Sequence, residues 1–286
     1  MYGQSVQFRF GGPLTPMVKR LMIANGIIFL GQQIIGLISP GSIEFFFGLS
    51  HVGFIHEFKI WQIFTYMFFH GGWLHIIFNL LALWMFGGEL EQIWGGNLFL
   101  KFYIYTGLGA GVFISVMNYY IFVTYNASPV TIGASGALYG ILLAYGLTWP
   151  NREVLLYFII PVKIKYLVIV YGLIEFFGTL SSISGKAGGI SHIGHLGGLV
   201  SGFIFIIYKS KFSSSNKQGF FSRFLRKIKN KNKKKVIDNR IIAKKIIDDS
   251  LEKIARNGMS SLTSEEKKQL DWARKHYYPE GNETLH

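Results

Sequence analysis

The sequence predicts an all-α, polytopic membrane protein: a bundle of six transmembrane helices followed by a small cytoplasmic helical tail. Three observations lead there. Half of the 286 residues are hydrophobic and mean hydropathy is positive, as expected of a chain largely surrounded by lipid. The apolar residues gather into six runs of about span length. Lys and Arg are sparse between those runs and crowd into the C-terminal tail, for a net charge of +14. Cysteine is absent, which excludes disulfides and cysteine metal ligands.

The first span covers about 18–38. The polar start runs directly into it, so no cleavable signal peptide is read and the span itself directs insertion. Residues 39–72 are too long for a tight connection and rich in Phe, Gly and Trp. Trp61 and Trp73 suit a membrane interface, and His51, His56 and Glu57 read as ordinary interfacial polar groups. The second span is expected at about 73–90, with Glu89 and Glu91 capping or anchoring its end. The others fall at about 98–119, 132–149, 164–181 and 191–208. The fourth and sixth open on Gly-rich polar residues, as helices lining a cavity do. Glu175 is the one acid in the fifth, expected in that helix's outer half and read as a hydrogen-bonding partner for neighbouring helices or as an influence on entry to a site near that end.

The chain divides into a cytoplasmic N-terminal segment (1–16), the six-helix domain (17–208), a basic juxtamembrane linker (209–235) and a cytoplasmic helical hairpin (236–286). The basic run at 227–235 suits anionic lipid headgroups, or serves as a solvated linker. Nucleic acid is not an expected partner, because aromatic interleaving and a reader motif are missing. Ile237, Ile241, Ile242, Ile246, Ile247, Leu251 and Ile254 fall at helical spacing, and Asn257-Gly258 ends the pattern. Thr263 followed by Glu266 reads as a capping box opening a second short helix.

Basic residues set the orientation. Arg9, Lys19, Arg20, Lys101, Arg152, Lys163, Lys165 and the tail fall on one side, and only Lys59 and Lys186 on the other. Both termini are therefore expected in the cytoplasm. Spans two, four and six then enter from the outer face, and His75, Asn79, Ser135 and His195 lie within about two turns of that end. A serine and a histidine held in lipid-spanning helices point to function. Ser135 sits in a first turn, where orphan N–H groups and the helix dipole favour a developing oxyanion. His195 can take the serine proton, because an imidazole is a usable base near neutral pH. Taken singly, Ser135 reads as a cap and His195 as a satisfied buried histidine. Their shared depth favours chemistry.

Gly136 and Gly140, like Gly194, Gly198 and Gly202, repeat at intervals of four, which lets two membrane helices pack backbone to backbone. Tyr139, one turn past Ser135, could stack on the His195 ring. His75 and Asn79 share a helical face and can both donate hydrogen bonds to a tetrahedral oxygen. No metal or cofactor is expected: the pair does not make HExxH, and no Asp precedes the tail.

From about residue 17 to 208 the sequence resembles the rhomboid family of intramembrane serine proteases. The resemblance rests on Trp61-Gln62-Ile63-Phe64-Thr65-Tyr66, on His70 with His75-Ile76-Ile77-Phe78-Asn79, on Gly133-Ala134-Ser135-Gly136 with Tyr139-Gly140, and on His195-Leu196-Gly197-Gly198. It implies a rhomboid-like six-helix bundle with a Ser135–His195 dyad and no third acidic member. It further implies an oxyanion hole built by His75 and Asn79, with the Ser135 N–H and Gly133 contributing. The substrates implied are membrane proteins with a helix-destabilised transmembrane segment. Two residues depart from the family pattern, Gln62 where many relatives carry Arg and His192 where a smaller polar residue is common. The alternative reading is a catalytically inactive rhomboid-like protein that binds client transmembrane helices. A transporter would need paired half-helices and a charged pathway.

Overall fold

The computed structural model describes residues 12–156, 159–183, 192–212, 239 and 241–277. The expectations for Lys186, the 227–235 basic run and Ile237 lie outside these residues. Contacts divide the chain into two compact units, Met1–Lys209 and Ser210–His286. The first unit is the helical bundle: α1 (Pro16–Ile38), α2 (Trp73–Trp94), α3 (Gly96–Tyr125), α4 (Ser135–Thr148), α5 (Ile164–Ile183) and α6 (His192–Phe212). Among the described residues α1, α2, α3 and the Ile164–Ser181 part of α5 are long and apolar enough to cross a membrane.

The helix α4 is shorter and later than the sequence suggested. It has 14 residues, about 21 Å of rise, and it begins at Ser135 rather than near 132. Thr131 is held in a two-way β-bridge with Leu49, each N–H to O distance being 2.9 Å. Gly133 follows with φ at +135°, a backbone that a helix cannot use. The chain therefore stays extended until Ala134 and turns helical at the serine itself.

The helix α2 is not uniform: Leu83–Gly87 forms a π-helical turn. Such a turn widens the helix, and the entering chain at Gly12–Pro13 lies against it. A Cβ on Gly88 would overlap the Pro13 carbonyl, and one on Gly12 would sit 2.8 Å from the Trp84 carbonyl oxygen. Glu91 does not cap α2. It accepts the Met17 and Val18 N–H groups at 2.9 and 2.8 Å and the Thr15 hydroxyl, closing the start of α1. Glu89 pairs with Arg152.

Two further details were not anticipated. A small antiparallel hairpin, β1 (Glu153–Leu156) with β2 (Ile160–Lys163), joins α4 to α5; its β-branched Val154, Ile160 and Val162 favour extended backbone. In the 39–72 connection His51 is buried, its ring 4.5 Å from Phe122, instead of facing an interface. That connection is ordered by side chains reaching backbone carbonyls. Trp61 Nε1 donates to Phe46 O at 3.0 Å and Thr65 Oγ1 to Phe47 O at 2.7 Å. The fully buried Gln62 donates to Phe45 O at 3.0 Å and accepts the Ser50 N–H at 3.2 Å. A neutral amide thus does the binding at the position where a guanidinium was the family expectation.

Lipid gives helices no hydrophobic reason to associate, so close approach must hold them. Nine of the 14 residues of α4 are buried, and it meets α6 along the glycine stripe. A Cβ at Gly198 would overlap the Gly136 carbonyl, and one at Gly202 would lie 3.1 Å from Gly140 Cα. From the other side, Ala110 of α3 fills the space that a Gly136 side chain would need.

In the second unit, α7 spans 241–257 and α8 is Ser264–Tyr277. The capping box is reciprocal: Thr263 Oγ1 accepts the Glu266 N–H at 3.2 Å, and Glu266 Oε2 accepts the Thr263 N–H at 2.8 Å. Lys253 of α7 reaches Glu266 at 2.6 Å. Of the apolar positions expected on one face, Ile241, Ile242 and Leu251 are exposed, while Ala243 and Ser250 are buried.

Candidate active site

The start of α4 sets Ser135 at a bend from which its side chain enters a cavity of about 680 Å³, within the usual size of ligand pockets. The first helical hydrogen bond runs from Leu138 N to Ala134 O at 3.1 Å. The N–H groups of Ser135, Gly136 and Ala137 therefore have no acceptor within the helix. The glycine seam brings α6 alongside, and His195 Nε2 lies 2.7 Å from Ser135 Oγ. Contact between hydroxyl and imidazole is what a general-base pair needs. The Tyr139 ring stacks on the His195 ring, 4.3 Å between centroids and 8° from parallel, so the imidazole cannot swing away from the serine without losing that contact.

His75 and Asn79 project from α2 into the same cavity. His75 Nδ1 accepts the Gly71 N–H at 3.2 Å. In the neutral ring the proton then sits on Nε2, beside Gly133, where a Cβ would come within 2.9 Å of it. Asn79 is buried, and its Nδ2 makes no hydrogen bond. A buried amide donor left empty is costly unless something arrives to accept from it. Both groups thus present N–H donors toward the space beside Ser135. Gly133 has a different place from the one expected. Its N–H donates to the Tyr66 carbonyl at 2.9 Å, so it contributes room for the His75 ring, not a free donor.

Two groups were missed in the sequence, and a third was noticed without its partners. Gly71 sets the His75 tautomer. Tyr66 accepts from Gly133 and anchors its own hydroxyl on the Gly107 carbonyl at 2.7 Å. Glu175 reaches the site from α5: its carboxylate accepts from Tyr139 OH and contacts His192 Nδ1 at 2.7 Å, with His195 Nδ1 at 3.1 Å. The expectation that Glu175 bonds to neighbouring helices is met; that those partners surround the base was not foreseen. The glycine-glycine pair at 71–72 just before a helix was a usable signal for the first, and Glu175 stood out as the one acid in an apolar span, whereas Tyr66 carries no local signature.

The remaining walls include Ile114, Met117, Asn118 and Ile121 of α3 together with residues 129–133.

Residues 57–212, more than half of the chain, match the Rhomboid domain model, and residues 230–273 match a family of unknown function, DUF6576. Among similar proteins, "Rhomboid-like protein 11, chloroplastic" of Arabidopsis thaliana is 27% identical over 203 residues, covering 68% of this chain and 68% of its own length. "Rhomboid protease GluP" of Bacillus subtilis is 33% identical over 159 residues, 55% of this chain and 27% of that protein. "Rhomboid protease AarA" of Providencia stuartii is 28% identical over 166 residues, 51% and 55% respectively. The chain therefore spans about a quarter of one of these proteases and about half of the other.

Proposed function

This chain belongs to the rhomboid family of integral membrane proteins, and we propose that it is an intramembrane serine endopeptidase acting through Ser135 and His195. The observation that carries this reading is the 2.7 Å contact between Ser135 Oγ and His195 Nε2 inside a cavity that also receives Asn79 and His75. His195 takes the proton from Oγ as Oγ bonds to the scissile carbonyl carbon. Negative charge then grows on the carbonyl oxygen, where His75 Nε2–H, Asn79 Nδ2 and the free N–H groups of the first turn of α4 receive it. His195 returns the proton to the departing nitrogen as the C–N bond breaks, and a water repeats the sequence on the acyl-enzyme.

The substrates of this reading are membrane proteins whose transmembrane segment is weakened as a helix. A helical carbonyl is already hydrogen-bonded, so the segment must unwind before attack. The cavity of about 680 Å³ beside the serine offers room for the unwound stretch. The proposed setting is a bacterial plasma membrane, and the distribution of Lys and Arg supports cytoplasmic termini with the site toward the outer face. The basic linker would lie against anionic headgroups.

The test is labelling of the purified full chain with a fluorophosphonate, beside Ser135→Ala and His195→Ala. Labelling of the wild type, lost in both variants, is the expected result. Label that persists in Ser135→Ala would reject the nucleophile, and an unlabelled, uncleaving wild type would favour the inactive, client-binding reading.

A further inference from the structure

Glu175 is a carboxylic acid near the middle of a helix that otherwise turns Leu173, Ile174, Phe176 and Phe177 outward. It is itself 3% exposed. An acid in that position is costly to keep, and lipid-facing packing does not need one. We propose that Glu175 is the positioning residue for His195, holding the imidazole with Nε2 toward Ser135 and steadying the positive charge the ring acquires. The inference rests on the serine endopeptidase reading above and adds a third, acidic member to it.

The carboxylate touches each support of the base. One oxygen accepts the hydroxyl of Tyr139, whose ring is stacked on His195. The other lies 2.7 Å from His192 Nδ1 and 3.1 Å from His195 Nδ1. The His195 contact is one of charge and proximity, because the oxygen lies off the line of an Nδ1–H hydrogen bond. Even so, it favours the proton on Nδ1, which leaves the Nε2 lone pair facing Ser135 Oγ at 2.7 Å. The neighbouring backbone is shaped for the arrangement. Gly178, one turn along α5, leaves the room that the His192 ring occupies, where a Cβ would sit 2.5 Å from that ring. A mere staple between α5 and α6 would be satisfied by His192 alone. Here the same group also fixes the stacking tyrosine and faces the far nitrogen of the base.

In the reaction the serine proton moves from Oγ to Nε2 and later to the leaving nitrogen. Glu175 stays ionised throughout and accompanies the imidazolium, so no proton is gained or lost at the carboxylate.

The test follows fluorophosphonate labelling of the full chain for both rate and final extent, with kcat and KM for a model transmembrane substrate. Glu175→Gln keeps the shape and removes the charge. It should slow labelling and lower kcat by about 10–100-fold, less than for an acid bonded in line with its histidine, while KM and the final extent of labelling stay at the wild-type level. Glu175→Asp should recover part of the rate. A wild-type rate in Glu175→Gln overturns the proposal, and so does a wild-type rate with reduced final extent, which marks a folding staple. If Glu175→Gln yields no folded protein, Tyr139→Phe decides: it keeps the stacked ring, loses the anchor of the carboxylate, and should label several-fold more slowly to full extent. An unchanged rate there is equally fatal. A wild type that never labels, or a Ser135→Ala that does, removes the underlying protease reading instead, so the two failures are distinct.

Discussion

Glu91 and Glu175 are both carboxylates sealed within the bundle, 5% and 3% exposed, and they differ in the donors around them. Glu91 is met by two backbone N–H groups and a threonine hydroxyl at the start of α1. Those donors do not titrate in the working pH range, and the helix dipole adds to the fit. Glu175 is met by a tyrosine and two histidines. One of those histidines touches a serine in an open cavity. Equal burial therefore says little about role. An acid surrounded by fixed donors anchors the scaffold, and one surrounded by groups able to carry protons is, on the proposal above, part of the chemistry.

If that division holds, substitutions around the serine should cost rate and substitutions around Glu91 should cost stability. The largest rate effect beyond Ser135 and His195 themselves is expected at Asn79 and His75. Removing either donor should lower kcat by about 10–1000-fold, since each would face the oxygen only once it bears charge. The measurement is turnover of a model substrate by Asn79→Ala and His75→Ala, normalised to the labelled fraction. Unchanged turnover in both would leave the unpartnered Asn79 amide without its proposed purpose.

Glu91→Ala should act in the opposite sense. It strands the Met17 and Val18 N–H groups in a buried place, which costs about 3 kcal/mol of stability. Thermal unfolding in detergent should show the loss, while the labelling rate of the molecules that remain folded matches the wild type. A slowed rate in that folded fraction would erase the distinction between the two acids.

What could be read beforehand follows the same line. The serine, the histidine and the glycine intervals were legible because each is a residue type at a fixed spacing on one helix, and helical geometry does the rest. The capping box at Thr263 and Glu266 was legible for the same reason. Glu175 was visible as an oddity in an apolar run, but its approach to His195 depends on how α5 is rotated against α6, and no periodicity in either helix encodes that. The partner of Glu91 lies some seventy residues earlier in the chain, so it looked like a cap for its own helix. Gly133 carried the family motif, yet its left-handed backbone and its bond to Tyr66 come from the Leu49–Thr131 bridge. The same bridge delayed the start of α4. Long-range pairings of this kind leave no mark in a local pattern.

A third acid sharpens the comparison at the smallest scale. Glu266, in the second unit, resembles Glu91 in accepting a backbone N–H at a helix start, but it sits where water reaches it. Lys253, followed by the Thr263 N–H, holds its carboxyl well below the ordinary 4.5, down to about 2. A depressed folded value means that the stabilisation is complete above the unfolded value and is lost as pH falls through the folded one. The capping box should therefore be fully formed from neutrality down to about pH 4.5 and should fade as pH approaches 2. The amide proton of Thr263 reports on this directly, because it is bonded to the carboxylate. Its resonance in the full chain should titrate with a midpoint far below 4.5, and Lys253→Ala should move that midpoint upward. A midpoint at the ordinary carboxylate value would mean that neither Lys253 nor the capping box holds the acid in solution, and that Glu266 has no part in ordering α8.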